Sequence, residues 1–329
     1  MKPDLIVFDL INCWIPDVGA KLNIPTAFFS VYSTTMLAYV GPPSEYKEST
    51  SNRRLTPQDF AQVPKWISFP STVAYRFHEA VIMSKHLHIP DITGLSTGER
   101  HTKAIEGSDF ILARSCVEFD GDYLNLLGDL FQKPVIPIGL LPPPAQCSPT
   151  RTTSNGSGNT FGLELSESPF LWILRKPEGI DESVLLPSGF EDRIKGRGFV
   201  CFGWISQVEV LSHTAIGGCL FHSGWGTIIE TLFFGHAQIL LPMMLDQGLN
   251  ARFLVEKGIG LEVDRNEDGT FTREAVASSI KTVMAEQHGE QLRLKAAQIG
   301  ESIFSNHGLH EEYIVKFVSR LDQLLHRRL

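Results

Sequence analysis

Apolar residues in this chain gather into short unbroken runs, and many stretches between the runs carry apolar positions three and four apart. LIVFDL at 5–10 lies between Pro3-Asp4 and the polar Asn12. An apolar run of that length predicts a strand buried on both faces of a parallel sheet. TAFFSVYS at 26–33 predicts a second strand, preceded by a helix around 16–22. DFILARS at 109–115 and KPVIPIGLL at 133–141 predict two more, with the helical spacing of DYLNLLGDLF between them. Further on, FLWILRK (170–176), GFVCFGW (198–204), GGCLFH (217–222), HAQILLPM (236–243) and IGLEVDR (259–265) are strand-like, while VEVLSHTA, TIIETLFF and LNARFLVEKG have helical spacing. The alternation predicts βαβ units that build parallel sheets with helices on both faces.

Thr272 is placed to cap a helix over 272–287. Leu309, Tyr313, Phe317, Leu321 and Leu325 stand four apart and predict a final amphipathic helix whose apolar face must dock. Arg327 and Arg328 suit the negative end of its dipole. One segment breaks the pattern: LLPPPAQCSPTRTTSNGSGNT at 140–160 is rich in Pro, Ser, Thr, Asn and Gly and has little to bury. It predicts a linker or a loop.

Composition narrows the picture only modestly. With 329 residues, 43% hydrophobic and 20% charged, the chain fits a soluble globular protein of two domains. A net charge of -8 without a basic stripe argues against nucleic-acid binding. The five cysteines (Cys13, Cys116, Cys147, Cys201, Cys219) form no CxxC pair, which speaks against a disulfide framework and against a zinc site. No apolar run is long enough to insert in a membrane, and MKPDLIVFD makes a poor signal peptide, so a cytoplasmic location is expected.

The candidate chemistry lies in one window, 204–247. GGCLFHSGWGTIIE predicts a strand ending at His222, a turn eased by Gly224 and Gly226, and a helix beginning near Thr227. The start of a helix presents free N–H groups and a positive dipole end, which suits phosphate. His222 and the Thr227 hydroxyl can add donors, and Glu230 one turn later can accept from ribose hydroxyls. Trp204 offers a face for a base, and Asp246-Gln247 can hydrogen-bond a sugar. Taken singly, Trp204 and His222 would more often be core residues, the glycines packing aids and Asp246-Gln247 a helix cap. Their concentration in one window favours a nucleotide-sugar site.

The same residues resemble the signature box of the plant family 1 UDP-dependent glycosyltransferases. That box opens Trp-x-x-Gln, passes through His-Cys-Gly-Trp-Asn-Ser and a Glu, and closes on Asp/Glu-Gln. Here it is Trp204 and Gln207, then His222-Ser223-Gly224-Trp225-Gly226-Thr227, Glu230 and Asp246-Gln247, without a gap. Ser223 stands for Cys, and Gly226-Thr227 for Asn-Ser. With LPSGFEDR, FLWILRKP and DQGLNARFLVEKG, these substitutions look like the subgroup of rhamnosyl- and glucosyltransferases that extends flavonoid and terpenoid glycosides.

The resemblance implies an α/β fold of two Rossmann-like domains with parallel sheets facing a cleft, of the GT-B type, with the N-terminal domain incomplete. It divides the chain into a partial acceptor-side domain over 1–146, a linker replacing a lost strand over 147–160, a UDP-sugar-binding domain over 161–308, and a final helix over 309–329 that crosses back to the N-terminal domain. It implies that Trp204 stacks on uracil, the Ile205 backbone pairs with the uracil edge, and Gln207 and Glu230 hold the ribose. His222, Gly224, Trp225, Gly226 and Thr227 would line the diphosphate, and Asp246 and Gln247 the sugar. The partners implied are a UDP-sugar donor and a small glycoside acceptor, with no separate cofactor and no metal.

In that family a histidine takes the acceptor proton and an aspartate orients it. Asp9 matches the aspartate; the eight residues before it include no histidine. The resemblance starts about three βα units late, roughly a hundred residues at ~30 per unit. His78, His86 and His88 fall in what reads as a variable acceptor loop. The family's strand and phosphate loop before residue 161 are missing as well, which would leave apolar edges and unpaired backbone groups. The expectation is a truncated or mis-spliced transferase; the alternative is a catalytically inactive UDP-sugar-binding relative. A nicotinamide-dependent oxidoreductase would need a GxGxxG that the chain lacks.

Overall fold

The computed structural model describes residues 3–51, 53–143, 157–174, 179, 185–305 and 307–326. In chain order the elements are β1 (Ile6–Phe8), α1 (Ile15–Leu22), β2 (Thr26–Ser30), α2 (Thr34–Val40), α3 (Pro57–Phe60), α4 (Phe77–His88), α5 (Thr97–Gly107), β3 (Phe110–Ala113), α6 (Val117–Phe131), β4 (Val135–Pro137), α7 (Ser157–Ser166), β5 (Phe170–Leu174), α8 (Phe190–Ile194), β6 (Gly198–Phe202), α9 (Gln207–Ser212), β7 (Gly218–Phe221), α10 (Trp225–Phe233), β8 (Ala237–Leu240), α11 (Gln247–Lys257), β9 (Gly260–Glu262), α12 (Arg273–Ala285), α13 (Gln287–Phe304) and α14 (His307–His326). They form two compact units, one made of Met1–Leu141, Met244–Glu256 and Ser302–Leu329, the other of Pro142–Met243 and Lys257–Glu301.

The first unit is built on the parallel sheet β1-β2-β3-β4, with Phe8 beside Phe28, Phe28 beside Ile111 and Ile111 beside Val135. β3 is buried along its whole length, as the unbroken run FILA requires. One face packs Ala27, Phe110, Leu112, Ile136 and Ile138 against Phe317 and Leu321 of α14. The Tyr313 hydroxyl on the same helix donates to Glu118 Oε2 at 2.8 Å and accepts from Val117 N at 2.8 Å.

Residues 244–256 cluster with this unit although they fall inside the span 161–308. The reason is visible on α11. Arg252 pairs with Glu79, Glu256 accepts from Thr72 N at 2.7 Å, and Phe253 meets Phe119 edge-on at 5.5 Å.

The segment taken for a variable loop is largely helical. His78, His86 and His88 lie on α4. α5 starts from a capping box in which Ser96 Oγ accepts from Glu99 N and Glu99 reaches back to Ser96 N. That signature, Ser-x-x-Glu, is legible in the sequence. Of the linker placed over 147–160, residues 147–156 lie outside the described residues and 157–160 open α7. The strand expected over 133–141 shortens to Val135–Pro137, although Ile138 N still donates to Ala113 O at 3.0 Å and Gly139 N to Ser115 O at 3.0 Å; Pro137, on the edge strand, costs the ladder no donor.

The second unit carries two parallel sheets, β5-β6 and β7-β8-β9. Phe170 and Trp172 of β5 and Leu220 of β7 all pack against one core that contains Leu163 of α7 and Val276, Ile280 and Val283 of α12. Among the described residues no strand pairs with the free edge of β5 or of β7. β8, paired on both sides, is buried throughout, whereas every residue of β7 is half-buried. Backbone amides of β5 and β7 should therefore exchange with deuterium at least tenfold faster than those of β8, read by peptide-resolved hydrogen exchange. Equal protection of the three strands would contradict the interrupted pairing.

Candidate functional site

In the second unit the candidates gather at the carboxyl ends of β6 and β7, where open α/β sheets place their ligands. β6 ends at Phe202, and Gly203, at φ 101°, turns the chain into Trp204. The Trp204 indole is 55% exposed, so it is not a core residue. Ser206 then caps α9 by accepting from Glu209 N at 3.4 Å, which places Gln207 at the first helical position with Ile205 just before the cap.

β7 ends at Phe221, and His222 follows with its ring edge-on to Phe221. Burial pushes the His222 pKa below its ordinary 6.5. Two details differ from the sequence reading. α10 begins at Trp225 rather than near Thr227, with Gly224 as its N-cap. The left-handed residue of the turn is Ser223, at φ 66°, not a glycine. Gly224 has an ordinary φ of -71°; its requirement is steric, because a Cβ there would lie 2.6 Å from His222 Nε2.

Trp225, Gly226 and Thr227 form the first turn of α10, whose N–H groups the helix cannot pair internally. The Trp225 side chain is 3% exposed, so the indole belongs to the core and only its backbone can face a ligand. Gln207 Nε2 donates to Glu230 Oε2 at 2.6 Å and lies 3.5 Å from Thr227 Oγ1. Trp204, Ile205, Gln207, His222, Gly224, Gly226, Thr227 and Glu230 thus belong to one unit, with Gln207, Thr227 and Glu230 in direct contact.

Asp9, Asp246 and Gln247 belong to the first unit. Asp9 caps a short 3-10 turn: its Oδ1 accepts from Ile11 N at 3.0 Å, Asn12 N at 3.3 Å and Asn12 Nδ2 at 3.0 Å. Among the described residues no histidine hydrogen-bonds Asp9. Gln247 opens α11, its Oε1 accepting from Met244 N at 3.0 Å. Leu245, just before Asp246, is left-handed at φ 53°. The Asp246 carboxylate is 9% exposed and accepts from Asn250 Nδ2 at 2.7 Å; burial raises its pKa above 3.8 and the Asn250 bond works against the rise.

Tyr32 was not singled out in the sequence, yet it lies within electrostatic reach of both carboxylates. Burial raises its pKa first, and the negative charges of Asp246 and Asp9 raise it further. Tyr32, Leu10 and Leu245 border a cavity of about 30 Å³ that also touches Met36, His86 and His101. That volume holds a water molecule or two, far below the roughly 300 Å³ of a small-molecule pocket. Asn250 carried a legible signal: in DQGLN it follows Asp246 by one helical turn.

Among the described residues no group of His, Cys, Asp and Glu is placed to hold a metal ion, and no helix is long and apolar enough to cross a membrane. Cys13 and Cys116 are buried and Cys201 and Cys219 half-buried, all as free thiols; Cys147 lies outside the described residues.

The family model described as UDP-glucoronosyl and UDP-glucosyl transferase matches residues 161–297. UDP-glycosyltransferase 91C1 of Arabidopsis thaliana is 38% identical, across 96% of this chain and 73% of that protein. Soyasaponin III rhamnosyltransferase of Glycine max is 32% identical, across 98% of this chain and 74% of that protein. Among solved structures, UGT2 of Phytolacca americana, complexed with UDP-2fluoro-glucose and pterostilbene, superposes with a TM-score of 0.76 at 21% identity, covering 98% of this chain and 77% of that one. At that identity the likeness concerns fold: an α/β architecture of the GT-B type, with Rossmann-like units built on parallel sheets.

The buried Asp246 carboxyl has a measurable consequence. Because burial raises its pKa above 3.8, the folded chain holds the proton more tightly than the unfolded one. The resulting stability is complete below the unfolded value and is lost as pH rises through the raised one. Asp246→Asn removes this titration. Its unfolding free energy from urea titration at pH 7 should exceed the parent's, by about 1.4 kcal/mol for each tenfold change in proton affinity, and the two should converge at about pH 3. A parent at least as stable as Asp246→Asn at pH 7 would refute the buried-charge account.

Proposed function

Because the chain belongs to the plant family 1 UDP-dependent glycosyltransferases, we propose that it moves a hexose, glucose or rhamnose, from a UDP-sugar to a hydroxyl of a small flavonoid or terpenoid glycoside. The observation that carries this reading is the contact of Gln207 with Glu230 and Thr227 at the first turn of α10, with the exposed Trp204 indole three residues upstream. A carboxylate and an amide suit the two hydroxyls of a ribose. The helix N-terminus suits the diphosphate. A solvent-facing indole suits uracil, with the Ile205 backbone at its edge.

In this reading His222, Gly224, Gly226 and Thr227 line the diphosphate, together with the Trp225 backbone. Asp246 and Gln247 hydrogen-bond the sugar. The acceptor oxygen attacks the anomeric carbon as the bond to UDP breaks, inverting the configuration there. The acceptor proton must pass to a base, and Asp9 is the group that would orient that base. The donor is itself the source of the transferred group, so no separate cofactor is invoked. A cytoplasmic setting accords with a water-soluble nucleotide-sugar donor.

A second reading is a UDP-sugar-binding protein without transfer. It is favoured by Asp9, whose Oδ1 carries three hydrogen bonds to its own turn and, among the described residues, none to a histidine.

Two measurements test these readings. Calorimetric titration should detect UDP binding, and Trp204→Ala should weaken it by roughly ten- to a hundredfold, as removing an aromatic stacking face does. Transfer from UDP-glucose and UDP-rhamnose to a panel of flavonoid and terpenoid glycosides should be read by product mass. Turnover selects the first reading, and binding without turnover the second. Absence of UDP binding at high protein concentration would refute both.

A further inference from the structure

Asp246 is not left to find its own orientation. It is the last member of a buried chain of polar side chains that begins at the amino end of α2. Ser33 caps α2 by accepting from Met36 N at 3.1 Å. Its hydroxyl proton goes to Asn250 Oδ1, at 2.8 Å. Asn250 Nδ2 in turn donates to Asp246 Oδ2 at 2.7 Å, and Asn250 N bonds Asp246 O at 3.0 Å. Ser33 and Asn250 are both fully buried.

The direction of these bonds follows from chemistry. An ionised carboxylate only accepts, so Asn250 must turn its amide nitrogen toward Asp246. That leaves the amide oxygen for Ser33, whose oxygen already accepts from the backbone and whose proton is therefore available. Each bond fixes the rotamer of the next group. A buried chain in which each group is bonded to the next favours one arrangement of its side chains.

We propose that Asn250 and Ser33 are positioning residues for Asp246, holding its carboxylate in the one rotamer from which it can accept hydrogen bonds from the hydroxyls of the donor hexose. The proposal rests on the reading that Asp246 binds the sugar. Neither Asn250 nor Ser33 touches the donor. Their effect is confined to the part of the donor that distinguishes a UDP-sugar from UDP.

The experiment is calorimetric titration of the full chain, as parent and variants, with UDP and separately with UDP-glucose. The readout is the affinity for UDP-glucose relative to UDP. Asp246→Ala tests the underlying reading and should abolish the preference for UDP-glucose. Asn250→Ala should lower the preference about tenfold, with UDP affinity held at the parent's value. Ser33→Ala should lower it in the same sense, and Ser33→Thr, which keeps the hydroxyl, should restore it. A general loosening of the fold would weaken both titrations together and would not be rescued by Ser33→Thr, so that pattern overturns the proposal.

If Asp246→Ala loses the preference while Asn250→Ala and Ser33→Ala keep it, the positioning role is wrong and the sugar-binding reading stands. If Asp246→Ala keeps the preference, the sugar-binding reading fails and the proposal falls with it. Should Asn250→Ala not fold, judged by its thermal midpoint, the Ser33→Ala and Ser33→Thr pair decides.

Discussion

A parallel strand is stable when helices cover both its faces and other strands pair both its edges. The first unit meets that demand at β2 and β3, the inner strands of its four-stranded sheet, of which β3 is fully buried. In the second unit the pairing stops between β5 and β7. The two sheets are joined instead by the helix layer beneath them, through Phe170, Trp172 and Leu220, and by a polar contact above. Gln207 follows β6 and Glu230 follows β7, so their 2.6 Å hydrogen bond ties the carboxyl ends of the two sheets together. Residues suited to a ribose thereby also hold the segments that carry them.

The parts of the fold that were legible in the sequence are those where one force dominates. An unbroken apolar run such as FILA became a strand because nothing competes with burial there. Helices over 97–107 and 77–88 are hard to read from periodicity, since α5 is polar along much of its length and α4 carries apolar residues such as Phe77 and Ile82 off its buried stripe of Ala80, Met83 and Leu87. The start of α5 is nonetheless written in its capping residues, Ser96 with Glu99. A local signal decided the outcome where periodicity was weak.

Within the candidate site, residue type was more legible than conformation. A reader of HSGWG assigns the turn to its glycines, because glycine tolerates a left-handed backbone best. The structure gives that conformation to Ser223, and keeps Gly224 for the room its missing Cβ leaves to His222. Trp204 and Trp225 show the same limit. Both are tryptophans in one motif, yet one is exposed and one buried, because Trp225 points into the core from the first turn of α10. Contacts between distant segments, such as Ser33 with Asn250, leave no trace in a single sequence at all.

Of the six non-glycine residues in the left-handed region among the described residues, Ser223 and Leu245 each stand two residues before the first residue of a helix. Holding a non-glycine residue there costs about 1–2 kcal/mol. The expense has a kinetic and an entropic side. A turn bearing a β-carbon samples few shapes, so a molecule arriving at α10 or α11 meets a backbone that has already surrendered its alternatives. Little disorder remains to be removed on association, and glycine at either position would exchange that readiness for local comfort.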